Sequence, residues 1–435
     1  MDYKEYPFGE LVEKWIDNRG KTPPLADSGI PLLEVKHLPE SGIYPLLEGT
    51  KFVSKETYKS WFRAYLQPMD ILFSTVGTTA RVTLTPDFPI VAIAQNVLGI
   101  RFKEELVDPV YMFYYMRGKQ FQHDIEARLV TTVQASIKRA DMVGIPVSLP
   151  TKDTQRSIAE KAISFDKKIE LNRRMNETLE AIARAIFKSW FVDFDPVRAK
   201  AQGESPESIC RRLRLTPDLL ALFPDRFVDS ELGEIPEGWE VKPFSEIVQI
   251  IGGGTPKTSV AGYWGGDISW FSVVDAPAES DVFVIDTEKK ITQAGLDNSS
   301  ARILSVGTTI ISARGTVGKV ALVGMPMAMN QSCYGLRGLD GSTFFTYYAT
   351  RELVATLKQH SHGAVFDTIT RDTFAGVHVV TFQAVATAFE AVIAPLMGKI
   401  KANSTQRRTL AELRDALLPK LLSDELRVPE TVDTV

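Results

Sequence analysis

The sequence predicts an α+β fold in which two similar globular domains are separated by a pair of long antiparallel coiled-coil helices, with a pseudo-two-fold internal repeat. Three observations predict this fold. The same motifs occur twice in the same order, short strand-like segments fill both halves, and two long stretches carry apolar residues at helical spacing. The expected boundaries are 1–150 for the first globular domain, 151–192 for the first long helix, 193–240 for a connector, 241–382 for the second globular domain, 383–423 for the second long helix and 424–435 for a C-terminal tail.

Each half of the chain opens with a Pro-Phe-x-Glu motif and later carries a Gly-Thr loop and a pair of amide residues. A repeat unit of this size indicates a duplicated domain, because solenoid repeats have periods of roughly 20 to 50 residues. A duplicated chain contains an approximate two-fold axis within one polypeptide, which suits a two-sided target or partner. The paired segments are 7–10 with 243–246, 74–78 with 312–316, and 95–96 with 330–331.

Short runs of β-branched and apolar residues, bounded by Gly, Pro and Thr, predict the strands of each globular domain. Most of these strands are expected to pair in antiparallel fashion. The predicted strands are 70–74, 90–94, 97–102, 307–312 and 319–323, and the predicted short helices are 111–121 and 344–358.

Two stretches of about 35 residues carry apolar side chains at alternating spacings of four and three, which is the pattern of a coiled-coil seam. The natural partner of each helix is the other one, in antiparallel pairing; the alternative is that each helix packs only on its own globular domain. Asn172 and Asn403 align between the copies, and a polar residue in a seam fixes its register. The seam residues are Ile158, Phe165, Ile169, Asn172, Leu179 and Ile186 in the first helix, and Phe389, Leu396, Ile400, Asn403, Leu410, Leu413 and Leu417 in the second.

The composition predicts a cytoplasmic protein. Two cysteines, Cys210 and Cys333, lie far apart in the sequence and offer neither a disulfide framework nor a metal-binding motif. We expect no signal peptide and no transmembrane segment, since no stretch approaches roughly 18 uninterrupted apolar residues. The net charge of −4, from 50 basic and 54 acidic residues, is unusual for a protein that binds nucleic acid alone.

Motifs for catalysis are missing from the sequence. It contains no GxGxxG before a helix, no Walker A motif and no HExxH motif, and its five histidines are scattered. We therefore predict a binding protein without catalytic residues and without a metal site.

The repeated loops combine glycine, small hydroxyl residues and a basic group, which are suited to close approach and hydrogen bonding to DNA. The alternative is that the loops are tight strand-connecting turns, and that the amide pairs at 95–96 and 330–331 form buried hydrogen-bond networks. The candidate DNA-binding residues are Arg19, Lys21, Thr78, Thr79, Arg81, Gln134 and Lys138 in the first copy, and Lys257, Thr258, Arg314, Thr316, Lys319, Thr368 and Arg371 in the second.

Taken together, these motifs resemble the specificity subunits of type I restriction-modification enzymes over essentially the whole chain. The first copy departs from the second at its loop, where Thr79-Ala80-Arg81 stands in place of Val317-Gly318-Lys319. The segments that carry the resemblance are 312–318 followed by 330–331, 232–239 before the second domain, and the helical segments 176–180 and 408–422.

The resemblance implies a non-catalytic subunit whose two target-recognition domains each read one half of a bipartite sequence in double-stranded DNA. The helices would set the gap between the halves. Modification subunits, two in number, would dock on the helices and use S-adenosylmethionine, and restriction subunits would use ATP. This chain would bind neither cofactor.

Two other functions compete with this one. In the first, the coiled coil is a protein-assembly scaffold and the globular domains bind proteins. In the second, the chain is a self-contained nuclease or methyltransferase, which the missing motifs argue against.

Overall fold

In the computed structural model the described residues are 3–18, 20–131, 135–360, 368–423 and 425–426. The chain divides into two compact units. Unit 1 comprises Met1–Leu171 and Arg408–Val435, and unit 2 comprises Asn172–Arg407. The candidates Arg19 and Gln134, and most of the predicted C-terminal tail, lie outside the described residues.

Unit 1 is built on a four-stranded antiparallel sheet of order β2-β8-β5-β6 and a three-stranded sheet of order β4-β3-β7. Strand β1 pairs with β11, and β9 pairs with β10. Its strands are β1 (Lys4–Pro7), β2 (Val12–Ile16), β3 (Ile30–Leu33), β4 (Lys51–Val53), β5 (Ile71–Ser74), β6 (Val82–Leu84), β7 (Ala92–Ile93), β8 (Val97–Phe102), β9 (Val130–Thr131), β10 (Ala135–Ser136) and β11 (Pro146–Leu149). Its short helices are α1 (Phe8–Leu11), α2 (Lys55–Trp61), α3 (Pro109–Arg117), α4 (Lys119–Glu126) and α5 (Arg139–Val143).

A first long helix, α6 (Lys152–Phe191), begins in unit 1 and ends in unit 2. The helices that follow are α7 (Asp195–Ala201), α8 (Pro206–Leu213), α9 (Pro217–Ala221), α10 (Phe244–Ile247), α11 (Gln293–Asp297), α12 (Phe344–His360), α13 (Arg371–Gly376) and the second long helix α14 (Gln383–Leu422), which ends in unit 1.

Unit 2 repeats the sheets of unit 1. A sheet of order β15-β22-β19-β20-β17 matches the larger sheet with one strand added, β18-β16-β21 matches the smaller one, and β14 pairs with β23 as β1 does with β11. The duplicated α+β fold is therefore confirmed. The strands are β12 (Phe227–Ser230), β13 (Gly233–Pro236), β14 (Glu240–Pro243), β15 (Val248–Gly252), β16 (Trp264–Phe271), β17 (Phe283–Val284), β18 (Lys289–Ile291), β19 (Thr309–Ser312), β20 (Val320–Val323), β21 (Ala328–Met329), β22 (Cys333–Gly338) and β23 (His378–Thr381).

The helix predicted over 111–121 is two helices, because the backbone is extended at Gly118 (φ −67°, ψ 149°) between α3 and α4. The start of α3 is fixed by Asp108, whose carboxylate accepts hydrogen bonds from the amides of Val110 and Tyr111. Apolar residues continue across the break, which is why the pattern alone suggested one helix.

The long helices pair in antiparallel fashion within each unit. In unit 2 the Asn403 amide donates to Oδ1 of Asn176 at 2.9 Å, and the Asn172 amide donates to Gln406 at 2.8 Å. As residue numbers increase along α6, the numbers of the contacting residues in α14 therefore decrease. The two asparagines that align in the sequence thus pair with other residues, about one turn away. In unit 1 the guanidinium of Arg414 pairs with Asp166.

Leu413 does not lie in the seam, and its prediction as a seam residue was wrong: its side chain is 46% exposed. Continuing the four-three spacing from Asn403 leads to Arg414, whose side chain is only 12% exposed, and then to the buried Leu421. The apolar pattern pointed to Leu413 because the true seam position beside it, Arg414, is charged. The remaining seam residues named above are buried or half-buried.

The helices also pack on the globular part of their own unit, so the two alternatives for them are not exclusive. In unit 1, Ile158 of α6 and Leu421 of α14 belong to the same core as Phe73 of the larger sheet. In unit 2, Phe187 and Phe389 share a core with Leu336. Their aromatic rings lie 5.6 Å apart in an edge-to-face arrangement, which is favourable for aromatic pairs.

The predicted connector 193–240 is part of unit 2 rather than a free tether. Its three helices and the β12–β13 hairpin bring Val197, Ile209, Phe223 and Trp239 into the same core as Phe389. Burying this apolar surface stabilises the segment at roughly 25 cal/mol per Å². Among the described residues, no helix has an apolar stretch long enough to cross a membrane.

The buried ion pair between Arg414 and Asp166 gives a stability prediction for unit 1. Replacing Arg414→Met keeps most of the aliphatic side chain but leaves the Asp166 carboxylate with the Tyr114 hydroxyl, which donates to it at 2.6 Å. Because removing one partner of a buried pair leaves an uncompensated charge, we expect a loss of about 3–5 kcal/mol, measured by native-state hydrogen exchange of the β5 amides.

The control is Arg156→Met on α6, where Arg156 faces an Asp153 side chain that is 97% exposed. An exposed pair of this kind contributes less than about 1 kcal/mol. Equal effects of the two substitutions would contradict the role assigned to the buried pair.

Candidate nucleic-acid interface

The repeated Gly-Thr loops connect β5 to β6 and β19 to β20, and in both a buried serine closes the loop. The Ser312 hydroxyl donates to the Thr316 carbonyl at 2.6 Å and accepts from the Lys319 amide at 2.8 Å. The Ser74 hydroxyl makes the matching bonds, to the Thr78 carbonyl at 2.6 Å and from the Arg81 amide at 2.9 Å. We call each arrangement a serine latch. Both latches hold their loops in one shape.

Glycine is required at the tip of each latched loop. Gly77 has φ 80° and Gly315 has φ 75°, in the left-handed region that side chains disfavour. The loops are therefore tight strand-connecting turns, as the structural alternative held. That geometry also turns the residues at the loop tip toward solvent, so the two interpretations of the motif are compatible.

Hydrogen bonds join each latched loop to segments that are distant in the sequence. In unit 1 the Thr75 amide donates to Asn96 O at 2.9 Å, and the Ile137 amide donates to Thr75 O at 3.0 Å. In unit 2 the Ala313 amide donates to Ser332 O at 2.8 Å, and the Ile369 amide donates to Ala313 O at 2.9 Å. The buried residues Ile137 and Ile369 thereby place the exposed candidates Lys138, Thr368 and Arg371 beside the loops.

The amide pairs are on the surface, not in a buried network. Gln95, Asn96 and Gln331 are exposed and Asn330 is half-buried. Asn330 also shapes its own turn, since its side-chain oxygen accepts from the Ser332 amide at 3.0 Å. The alternative of a buried amide network was therefore wrong, because these residues lie in turns beyond the strand ends rather than within the sheet.

The segment after β15 joins the same surface in unit 2. Gly253 passes so close to Asn330 that an added Cβ would lie 1.9 Å from its carbonyl oxygen. The Thr255 hydroxyl donates to the Gln331 side chain. The exposed Lys257 and Thr258 follow directly, and the Trp264 indole donates to Lys257 O at 3.3 Å. Two of the three consecutive glycines, Gly253 and Gly254, therefore serve close packing of backbone against backbone.

In unit 1 the corresponding segment is tied by Asn18, whose side-chain amide donates to Ile93 O at 3.2 Å. The exposed Lys21 follows it. In each unit, hydrogen bonds thus join segments from three separate parts of the sequence that carry or precede described candidates.

Two short 3₁₀ turns belong to these surfaces and were not predicted from the sequence. One, Val35–His37, follows β3, and the other, Val273–Asp275, follows β16. They lie beside the amide turns, because the Ala94 amide donates to Leu33 O at 2.8 Å and the Asn330 amide donates to Phe271 O at 2.9 Å. The two turns differ too much in sequence to be matched as a repeat; the Ser-x-x-Asp capping pattern of the second was the available signal.

The candidate side chains differ in their exposure and in the bonds that they make within the protein. The Arg81 guanidinium donates to Leu38 O at 3.0 Å and is half-buried, so it serves mainly to hold its own loop. By contrast Arg314, Thr316 and Lys319 are exposed, as is Thr78, whereas Thr79 is half-buried. Over the described ranges, neither Arg314 nor Lys319 forms an ion pair with a carboxylate. These two cations are available to phosphate or base oxygens.

Two titratable groups next to these surfaces, Cys333 and Glu34, have shifted pKa values. Burial raises the pKa of the Cys333 thiol to about 12, so this thiol stays protonated and unreactive at neutral pH. The hydrogen bond from Lys51 lowers the pKa of the Glu34 carboxyl beside the first 3₁₀ turn, so that carboxyl remains charged and is unsuited to act as an acid. In the part of the chain that the structure describes, no group of three His, Cys, Asp or Glu residues could hold a metal ion.

Comparison with known proteins decides the family. The model of the type I restriction modification DNA specificity domain matches residues 2–181 and again residues 236–379. The chain belongs to this family. Each matched segment falls on one copy of the globular domain, so the family resemblance seen in the motifs is confirmed.

Curated relatives agree with this assignment. The specificity subunit is 28% identical over 400 residues to the type I restriction enzyme HindI specificity subunit of Haemophilus influenzae, covering 82% of this chain and 86% of that one. It is 31% identical over 156 residues to the type I restriction enzyme MjaIX specificity subunit of Methanocaldococcus jannaschii, covering 35% and 36%.

A solved structure shows the same fold. The crystal structure of the type I restriction-modification system S subunit from M. genitalium superposes with a TM-score of 0.56 at 15% identity, covering 97% of this chain and 96% of that one. The protein is thus a specificity subunit that recognises a DNA target, and the protein-scaffold alternative is not favoured. Specificity subunits of type I systems are non-catalytic recognition subunits.

Proposed function

We propose that this specificity subunit reads a bipartite target in double-stranded DNA, with unit 1 contacting one half and unit 2 the other. The observation that carries this proposal is the duplicated latch. Two buried serines, Ser74 and Ser312, make the same two hydrogen bonds in the two units and present loops whose outward residues differ. The scaffold is repeated, whereas the residues that it displays differ at several positions, such as Arg81 and Lys319.

The difference between the loops supports an asymmetric target. In unit 2 the last latch residue is Lys319, whose side chain is exposed, and in unit 1 it is Arg81, whose guanidinium is bound to Leu38 O. Identical reading surfaces related by a two-fold axis would read a palindrome. Two diverged copies read two unlike sequences.

The exposed cations and hydroxyls of each surface suit both tasks of a DNA interface. Lysine, arginine and threonine bind phosphates and fix the position of the protein on the duplex, and arginine also reads guanine through two hydrogen bonds. The net charge of −4 limits how much phosphate affinity the subunit supplies by itself. Partner proteins therefore supply the rest.

We further propose that the partners are modification subunits, two per specificity subunit, and restriction subunits, which dock on the long helices. Exposed apolar residues support such docking: Leu171 and Ile182 on α6 and Leu413 on α14 are 44–51% exposed. The partners would use S-adenosylmethionine and ATP, and this chain neither. The assembly would act in the cytoplasm.

The helices are also proposed to fix the gap between the half-sites. Both α6 and α14 contain 40 residues and run without a break through both units. At 1.5 Å per residue each is roughly 60 Å long, a length equivalent to several base-pair steps of about 3.4 Å. Changing the length of both helices should therefore change the gap.

The reading surface of unit 2 is tested by Arg314→Ala in the complex with its modification subunits. We expect affinity for target DNA to fall about tenfold, because a charge-assisted contact to phosphate or guanine is lost. If Arg314 contacts a phosphate, the slope of the logarithm of affinity against the logarithm of salt concentration should fall in magnitude by about one. If it contacts a guanine, the preference for guanine at one base position should be lost. Fluorescence anisotropy over a salt series measures the slope, and fluorescence anisotropy with duplexes substituted at single base positions measures the preference.

The control is Arg226→Ala, since Arg226 is 68% exposed in the same unit but pairs with Asp225 and Glu237 near the β12–β13 hairpin. It should leave affinity and salt dependence unchanged. If Arg314→Ala behaves like this control, the latched loop of unit 2 does not contact DNA.

The helix proposal is tested by deleting one heptad from each helix, residues 168–174 and 406–412. The deletion preserves the pairs Asp166–Arg414 and Asn176–Asn403 and keeps the four-three spacing of the seam. Seven residues correspond to about 10 Å, so the gap should shorten by about three base pairs.

Sequencing methylated adenines in cells that carry the shortened subunit measures the gap directly. Inserting a heptad at each of the same positions is the control and should lengthen the gap by the same amount. A gap that stays constant in both variants would refute the proposal.

A further inference from the structure

The 3₁₀ turns after β3 and β16 are built in the same way from different residues. In unit 2 the Asp275 carboxylate accepts a hydrogen bond from the Ser272 amide at 2.7 Å. In unit 1 the His37 imidazole accepts through Nδ1 from the Glu34 amide at 2.8 Å. Each turn is thus closed by its third residue bonding back to the residue before the turn, and we call it the capped turn.

The capped turns are parts of the surfaces that carry the latched loops. In unit 2 the capped turn follows Phe271, whose carbonyl accepts from Asn330 at 2.9 Å. Two residues further on, Ser332 O accepts from Ala313 of the latched loop at 2.8 Å. A continuous chain of backbone contacts therefore links the capped turn, the amide turn and the latched loop.

The middle residue of each capped turn points outward and differs sharply between the copies. It is Val274 in unit 2, whose side chain is 71% exposed, and Lys36 in unit 1, whose side chain is 61% exposed. The strand pairings place them at equivalent positions, since β3 pairs with β7 as β16 pairs with β21, both in parallel. One framework thus carries an apolar group in one copy and a cation in the other.

Val274 is held in a fixed position although its side chain packs on little. The Asp275 carboxylate beside it accepts three hydrogen bonds, from the Ser272 amide, from the Ser272 hydroxyl at 3.0 Å and from the Glu288 amide at 2.7 Å. A single exposed valine is ordinary on a protein surface. Val274, however, stands on a hydrogen-bonded turn that is joined to the amide turn and to the latched loop.

We propose that the middle residue of each capped turn is a specificity-determining residue that reads one base pair of its half-site. Val274 contacts the 5-methyl group of a thymine in the major groove, because an apolar side chain is the complement of that methyl group. Lys36 donates to the O6 and N7 acceptors of a guanine. This inference rests on the proposed function of the two units as readers of the two half-sites.

In unit 1 the local charges fit this assignment. The Lys36 ammonium lies 3.1 Å from the Glu34 carboxylate, which is also paired with Lys51 at 2.8 Å. Two lysines around one carboxylate leave a surplus of positive charge at the turn. Exposed ion pairs of this kind are weak and readily exchanged for a contact with DNA.

The test is Val274→Ser in the full complex with its modification subunits, with methylated adenines mapped by single-molecule sequencing of genomic DNA. The matched control is Leu339→Ser. Leu339 is 66% exposed in the same unit and follows the end of β22 that is remote from the amide turn. Both changes remove an exposed apolar side chain, but only one removes it from the proposed reading surface.

We expect Val274→Ser to reduce the preference for thymine at one position of one half-site by about tenfold, with the other half-site and the gap unchanged. Leu339→Ser should leave the whole target unchanged. A target that is identical in wild type and Val274→Ser overturns the proposal, as does an equal effect of the control.

Lys36→Gln provides the independent test in the other unit. It should relax the preference for guanine at one position of the other half-site only. Relaxation in the half-site affected by Val274→Ser, or no relaxation, would overturn the assignment of the turns.

Arg314→Ala distinguishes failure of the capped-turn proposal from failure of the proposed reading surface of unit 2. If it weakens binding while Val274→Ser changes nothing, only the capped-turn proposal fails; if neither has an effect, the reading surface of unit 2 fails with it.

Discussion

The structure depends on the need of two 40-residue amphipathic helices to bury their apolar seams. Neither α6 nor α14 would be stable in water with its apolar face exposed, so each helix is covered by the other and by a globular core. In unit 1 the early turns of α6 join the core that contains Phe73, and in unit 2 its last turns join the core that contains Phe389. The fold of each unit is thereby coupled to the register of the helices.

Buried polar residues set that register. An apolar seam tolerates a shift by one heptad, but the pairs Asn176–Asn403 and Asp166–Arg414 are satisfied in one alignment only. In unit 2, Asp281 adds a third anchor, since it accepts from the Asn176 amide at 3.1 Å and pairs with Arg407. This carboxylate precedes β17 of the globular part. The helix register and the placement of that sheet are therefore specified together within the unit.

In the recognition surfaces, too, the residues that build the framework are the same in the two copies, whereas several of the residues displayed on it differ. Buried atoms repeat between the copies: a serine closes each latch, and an isoleucine anchors the segment beside it. Several exposed positions differ between the copies, as Lys36 and Val274 show. A framework whose hydrogen bonds are internal is insensitive to the residues it displays, so the two copies are able to diverge in what they read without loss of fold.

Much of this organisation could be predicted from the sequence. Strand β8 occupies the predicted 97–102, and the duplicated motifs identified both latches, because glycine and serine are needed there for backbone reasons. The prediction was wrong where a charged residue replaced an apolar one, as Arg414 did beside Leu413. It missed the capped turns because their closure uses histidine in one copy and aspartate in the other. Their position beside the amide turns depends on parallel strand pairing, which periodicity does not reveal.

The central claim is that the two units read two separate halves of one target. The most direct measurement is a genome-wide map of methylated adenines in cells whose specificity subunit carries residues 1–150 of a relative with a different target. We expect one half of the methylated sequence to change to that of the relative, while the other half and the gap stay as they were. A target that is unchanged, or that changes in both halves, would contradict it.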